Sequence, residues 1–179
     1  MTELNREEIL KAIRVVPNFP KSGINFMDIT TVLNNGAMFK NIVDHLADRY
    51  RDMKIDYIVG IESRGFLFGT ALAMALGIGF IPVRKKGKLP ADTYKISYEL
   101  EYGSDVLEIH KDAFSHNANA RVILVDDLLA TGGTAKASGE LIKMAGGEVV
   151  ENLFVINLQF LNGAKRLSSP VYSILDIAE

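Results

Sequence analysis

Residues 122–134, VILVDDLLATGGT, place two adjacent carboxylates after four apolar residues and then two glycines bracketed by threonines. Acids and glycines both weaken a strand, so their presence points to a ligand rather than to stability. Glycines before a helix let successive backbone N–H groups point the same way. With the helix dipole and the hydroxyls of Thr131 and Thr134 they form a site for a phosphate dianion. Asp126 and Asp127 beside such a cradle suit a ribose diol. The chemistry implied is recognition of a sugar phosphate, its diol on Asp126 and Asp127 and its 5′-phosphate on Ala130, Thr131, Gly132, Gly133 and Thr134. Each charge-assisted hydrogen bond of this kind contributes on the order of 1.5 to 3 kcal/mol. An acidic pair alone reads as a solvated strand end, and a glycine pair alone as an ordinary turn; the complete string argues for a site. The nucleotide motif GxxxxGK[ST] is absent and the nearest approach to GxGxxG, GIGFIP, ends in proline, which disfavours a nucleoside triphosphatase or a dinucleotide dehydrogenase.

Positioning that string requires a strand over 122–125 with the acids at its carboxyl end, and a helix from near Ala135 that Gly146 and Gly147 stop. The rest of the chain supplies a matching frame. Asn5 and Glu8 form a capping pattern before an apolar stripe of Ile9, Leu10 and Ile13, and Pro17 and Pro20 close that helix and open a loop, NFPKSGINFMDIT. Helical spacing of Met38, Phe39, Ile42, Val43, Leu46 and Tyr50 predicts a helix over 37–51. DYIVGI (56–61) and GFIPVR (79–84) read as strands around FLFGTALAMALG, a helix apolar nearly all round. Period-two alternation through Tyr94, Ile96, Tyr98, Leu100 and Tyr102 predicts a hairpin, and EVVENLFVINL and VYSILDI supply two last strands. Apolar strands alternating with helices define the α/β class, a parallel sheet covered on both faces, with ligands beyond the carboxyl ends of its strands.

The chain has 179 residues, 48% hydrophobic, which fits one domain with a sizeable core. A formal net charge of -2 gives no global field for nucleic acid or an anionic membrane, so any anion site is local. Cysteine is absent, which excludes disulfides, zinc–thiolate sites and thiol nucleophiles and suits a reducing cytosol. A charged, amphipathic N-terminus and the lack of any apolar run long enough to span a bilayer predict a soluble, cytoplasmic protein. His45, His110 and His116 show no metal-ligand spacing.

Five stretches, NFPKSGINFMDIT, ESRGFLFG, RKKGKLP, YELEYGSDVLEIHKDA and VDDLLATGGT, follow one another over nearly the whole length. In these the chain resembles the type I phosphoribosyltransferases, and within them the adenine-specific branch. The resemblance implies a single domain over 1–179 with a central, mostly parallel sheet flanked by helices, a small N-terminal hood over about 1–35, and a flexible hairpin lid over about 89–110. It also implies purine salvage chemistry, in which adenine and phosphoribosyl pyrophosphate give AMP and pyrophosphate. Mg²⁺ would be held mainly by the substrate pyrophosphate and water.

Residue roles follow from the same resemblance. Asp126 and Asp127 suit positive charge developing on the ribose, with Arg64 beside the reacting centre. Glu62, Ser63, Arg64, Arg84, Lys85, Lys88 and Tyr102 are implied for pyrophosphate, with a cis peptide at Glu62–Ser63. As a pattern alone, RKKGK is an ordinary solvated basic run. Some basic residues of the family act across a dimer interface, which implies a homodimer. Asn25, Phe26 and Met27 are implied for adenine, the backbone of Asn25 and Met27 reading its edge, and Glu101 is implied as general acid or base near N7. Met27 departs from the arginine many relatives carry. A 6-oxopurine presents the reverse hydrogen-bond polarity, and LFVINLQF lacks the lysine typical of 6-oxopurine enzymes, so adenine is favoured over guanine or xanthine. Other readings are transfer to another base such as orotate, a non-catalytic sensor of phosphoribosyl pyrophosphate, for which no winged helix exists in 1–50, and a phosphoacceptor signalling domain, whose acidic pair would come earlier than 126.

Overall fold

The computed structural model describes residues 4–99 and 104–178. The chain divides into two units, one running through Arg49 and the other from Tyr50 onward.

In the first unit Asn5 caps helix α1 (Arg6–Ala12), its Oδ1 accepting the Glu8 N–H at 3.1 Å. Ile9 and Ile13 are buried as the stripe requires, whereas Leu10 is exposed. The segment read as loop contains a short antiparallel pair, β1 (Arg14–Pro17) and β2 (Asn25–Asp28). Its four-residue strands carry no period-two alternation, so only pairing reveals them. Arg14 on β1 and Asp28 on β2 are ion-paired, and that hydrogen bond first, with those of Thr30, holds the Asp28 carboxyl at about 2. Helices α2 (Thr30–Leu33) and α3 (Gly36–Tyr50) follow, and α3 buries Met38, Ile42, Leu46 and Tyr50 at helical spacing.

The second unit holds a seven-stranded sheet in the order β5-β6-β4-β3-β7-β8-β9. Strands β3 (Tyr57–Ile61), β4 (Gly79–Lys85), β7 (Ala120–Leu129), β8 (Gly147–Leu158) and β9 (Val171–Ile177) run parallel, and the hairpin β5 (Thr93–Glu99) and β6 (Ser104–His110) adds the antiparallel edge. Alternation along the strands sorts the faces. Val59, Ile61, Val83, Val122 and Leu124 pack with Ala137, Leu141 and Ile142 of α5 (Gly133–Ala145), all buried. The opposite face, with Ile58, Gly60 and Phe80, lies under α4 (Arg64–Leu76), where Gly69 leaves room for the Phe80 ring. Two short 3₁₀ turns, η1 (Gln159–Leu161) and η2 (Gly163–Arg166), join β8 to β9.

Two boundaries differ from the sequence expectation. Strand β7 continues to Leu129, paired with Asn157 of β8, so Asp126 and Asp127 sit inside its last turn of pleat rather than after its end. Helix α5 starts at Gly133, two residues before Ala135. In both cases sheet and helix hydrogen bonds extend through residues whose intrinsic preference opposes them, a tertiary override of propensity. The Glu62–Ser63 peptide is cis, as the resemblance implied.

Candidate functional site

Strand β7 delivers its acidic pair to a turn at 130–132, and Gly132, at φ +81°, turns the chain into α5. A side chain is doubly unwelcome there. The conformation is left-handed, and a Cβ would stand 2.5 Å from the carbonyl oxygen of Gly163. The first helical bonds are in place, Lys136 N–H donating to Gly132 O at 2.9 Å. A cavity of about 220 Å³ opens over this junction, lined by Arg64, residues 126–135 and Phe154. Asp126, Asp127, Ala130, Thr131, Gly132, Gly133 and Thr134 therefore face one space, together with the N-terminus of a 13-residue helix.

Arg64 reaches this cavity because of the residue after it. At Gly65 a Cβ would lie 2.5 Å from Val125 O and 3.1 Å from Asp126 Oδ1, so the first turn of α4 rests directly on the end of β7. From that position Arg64 Nε donates to Asp127 Oδ2. The Asp127 N–H donates to Asp126 Oδ1 at 2.9 Å. Burial first, then the neighbouring charge of Asp127, pushes the Asp126 carboxyl well above the usual carboxylate range. The Arg64 guanidinium is thus bonded to Asp127, while the Asp126 carboxyl beside it is shifted toward its neutral form.

A second cluster gathers the residues implied for pyrophosphate. Glu62 accepts from Lys88 Nζ at 2.6 Å, from Arg84 Nε and Nη2 at 3.2 and 3.3 Å, and from the Lys85 N–H at 3.0 Å. Burial would raise the Glu62 carboxyl, but hydrogen bonds from Lys88, Arg84 and Lys85 bring it down to about 2. Lys85 Nζ pairs with Asp105 at 3.2 Å, and Arg84 Nη1 donates to Lys88 O at 3.1 Å. Below them Glu108, 1% exposed, accepts the Gly87 N–H at 3.1 Å and pairs with Lys95 Nζ at 2.9 Å, tying the basic turn to the hairpin. The seven residues implied for pyrophosphate thus divide. Glu62, Arg84, Lys85 and Lys88 form one ion-paired cluster, Arg64 belongs to the acidic pair, and exposed Ser63 links them in sequence. Tyr102 and Glu101 lie outside the described residues.

Asn25, Phe26 and Met27 occupy β2, opposite Pro17, Val16 and Val15, and the Phe26 ring meets Phe19 edge-on at 5.2 Å between centroids. Sequence reasoning missed several residues of the cavity surroundings. Phe154 lines the cavity from β8, where it reads as ordinary strand core. Tyr98 of β5, its hydroxyl pushed up by burial against the pull of a hydrogen bond with Thr134, brings the hairpin to the turn at 130–134. Arg166 donates to Thr131 O at 3.3 Å from a segment with no motif. Among the described residues no cluster of three or more His, Cys, Asp or Glu side chains is placed to hold a metal ion.

The phosphoribosyl transferase domain matches residues 28–176, a span that holds the acidic pair and the glycine–threonine turn at the carboxyl end of a central parallel strand, so the chain belongs to the phosphoribosyltransferase family. The relatives narrow this to one branch. The adenine phosphoribosyltransferase of Campylobacter jejuni is 53% identical, over 99% of this chain and 100% of that protein. The crystal structure of adenine phosphoribosyltransferase from Thermoanaerobacter pseudethanolicus superposes with a TM-score of 0.92 at 49% identity, covering 97% of this chain and 100% of that one. The Saccharomyces cerevisiae adenine phosphoribosyltransferase, crystallised with an imino-altritol bisphosphate and adenine, gives 0.89 at 48% identity, covering 95% and 98%.

Proposed function

We infer that the chain transfers the phosphoribosyl group of phosphoribosyl pyrophosphate to adenine, releasing AMP and pyrophosphate in purine salvage. The observation that carries this reading is the single cavity onto which the acidic pair, Arg64 and the phosphate turn converge. The C1′–oxygen bond to pyrophosphate breaks, the C1′–N9 bond forms, and the N9 proton leaves the purine. Positive charge grows on the ribose and negative charge on the leaving group. Asp126 and Asp127 hold the diol and stabilise the first charge by field. The turn at 130–134 anchors the phosphate remote from the breaking bond, so binding there positions the reacting carbon. Arg64, Ser63 and the Arg84, Lys85 and Lys88 cluster receive the pyrophosphate, and the family resemblance assigns Tyr102 to the same group.

Asn25, Phe26 and Met27 read adenine, and Glu101 exchanges a proton with the base as its charge changes. The hairpin acts as a lid that keeps water from the reacting carbon. Mg²⁺ fits this site as an ion carried on substrate oxygens. Two carboxylates, one already paired with Arg64, are too few for an all-protein cage. Asp126 and Asp127 are the carboxylates that would lie beside it, and when bound it would neutralise charge on the departing pyrophosphate. A homodimer is favoured by the outward stripe of α4, where Leu67 is 45% and Met74 83% exposed. The absence of cysteine suits a cytoplasmic setting.

Incubation with labelled adenine, phosphoribosyl pyrophosphate and Mg²⁺ tests the reading: AMP forms, and hypoxanthine, guanine, xanthine and orotate fail to compete. Absence of AMP, or preference for another base, would overturn it.

A further inference from the structure

The turn η2 has no part in the chemistry above, yet its backbone lies against the turn at 130–132. Gly163 is buried, and a Cβ there would overlap Ala130 O and lie 3.0 Å from Gly132 N. The approach is reciprocal, since a Cβ on Gly132 would meet Gly163 O at 2.5 Å and Gly163 Cα at 3.2 Å. Two backbones are in contact here with no side chain between them. Asn162, at φ +53°, redirects the chain from η1 into η2 and so brings Gly163 to this point. Around the contact Ala164 and Leu167 pack on Leu129 and Ala135, which flank the turn, and on Phe154 of β8.

Peptide geometry makes this contact directional. Ala130 O faces Gly163, and Thr131 O accepts from Arg166 Nη1 at 3.3 Å, so both carbonyls point to the η2 side. Only the Phe19–Pro20 and Glu62–Ser63 peptides are cis among the described residues, so those between 130 and 132 are trans. In a trans peptide the N–H opposes the C=O. The N–H groups of Thr131 and Gly132 therefore point opposite to those carbonyls, and both residues line the cavity.

We propose that Gly163 and Arg166 are positioning residues for the phosphate site: they hold the carbonyls of the phosphate turn from behind and so aim its amides at the terminal phosphate of the substrate. This rests on the assignment of 130–134 to that phosphate. The amides then need little reorganisation on binding, and a shift of the turn by even a methyl group misaligns them. The chain gives no warning of this in its motifs, because FLNGAKR resembles no phosphate-binding pattern.

The test compares AMP with adenosine, which differ only in the phosphate, by calorimetric titration of the unaltered protein, Gly163→Ala, Arg166→Ala and Arg166→Lys. Gly163→Ala should weaken AMP at least about tenfold while adenosine changes less than about twofold, and Arg166→Ala should weaken AMP about threefold with recovery in Arg166→Lys. In turnover, KM for phosphoribosyl pyrophosphate should rise and KM for adenine should not. Equal losses for AMP and adenosine, or no loss, would overturn the proposal. Should Gly163→Ala fail to fold, the Arg166 pair decides alone: an AMP affinity unchanged in Arg166→Ala overturns it. If the unaltered protein binds AMP no better than adenosine, the assignment of the phosphate turn itself fails.

Discussion

The turn at 130–134 and the basic turn at 84–88 are both proposed anion sites, but they are built from different materials. The first is backbone against backbone: Gly132 on Gly163, Gly65 on Val125, helical amides already directed. The second is side chain against side chain, with Arg84, Lys85 and Lys88 held by Glu62 and Asp105. Close-packed backbone cannot rearrange without displacing its neighbours, whereas cations a third to a half exposed can change partners more readily. The contrast fits the two ends of the proposed substrate. One phosphate stays bound through the reaction, and the pyrophosphate must be gripped and then released.

Three perturbations test that contrast, beginning with the most damaging. Gly132→Ala adds a Cβ to a left-handed residue 2.5 Å from Gly163 O, so KM for phosphoribosyl pyrophosphate should rise roughly a hundredfold, measured in initial-rate assays. A rise below about threefold would mean that the turn is as adaptable as the basic cluster. Next, Glu62→Gln frees Arg84 and Lys88 from their carboxylate. Pyrophosphate affinity should change by about tenfold while AMP affinity stays within about twofold, by calorimetry. The acid response should change too. The folded Glu62 titrates at about 2 against an ordinary value of 4.5, so its contribution is complete above pH 4.5 and is lost as pH falls toward 2. Urea midpoints of the unaltered protein should fall through that window more steeply than those of Glu62→Gln; parallel profiles would remove Glu62 from this role. Smallest, raising salt from about 0.05 to 0.5 M should weaken pyrophosphate several-fold more than AMP, because exposed cations are screened more than a buried amide cradle. Equal salt dependence would erase the distinction.

Most of the frame was legible in the chain. The strands over 57–61 and 171–177 and the helix over 36–50 follow from apolar runs and helical spacing, and the acidic–glycine string marked the cavity that the structure shows. What stayed hidden depends on partners remote in sequence. The β1–β2 pair has no alternation to reveal it. The continuation of β7 to Leu129 is dictated by β8. The resemblance names Arg64 and Glu62 but not their partners: Gly65 against Val125 brings Arg64 to Asp127, and Glu62 accepts from Arg84, Lys85 and Lys88. Gly163 is the extreme case, since its role exists only where two backbones meet.

The central claim is that the turn at 130–134 wraps the terminal phosphate of the nucleotide while Asp126 and Asp127 take the ribose hydroxyls. A crystal grown with AMP measures this directly. The phosphorus should lie within hydrogen-bonding reach of the backbone amides of Thr131 to Thr134, with the diol on the two aspartates. AMP bound elsewhere, with that cavity holding only solvent, would contradict the account.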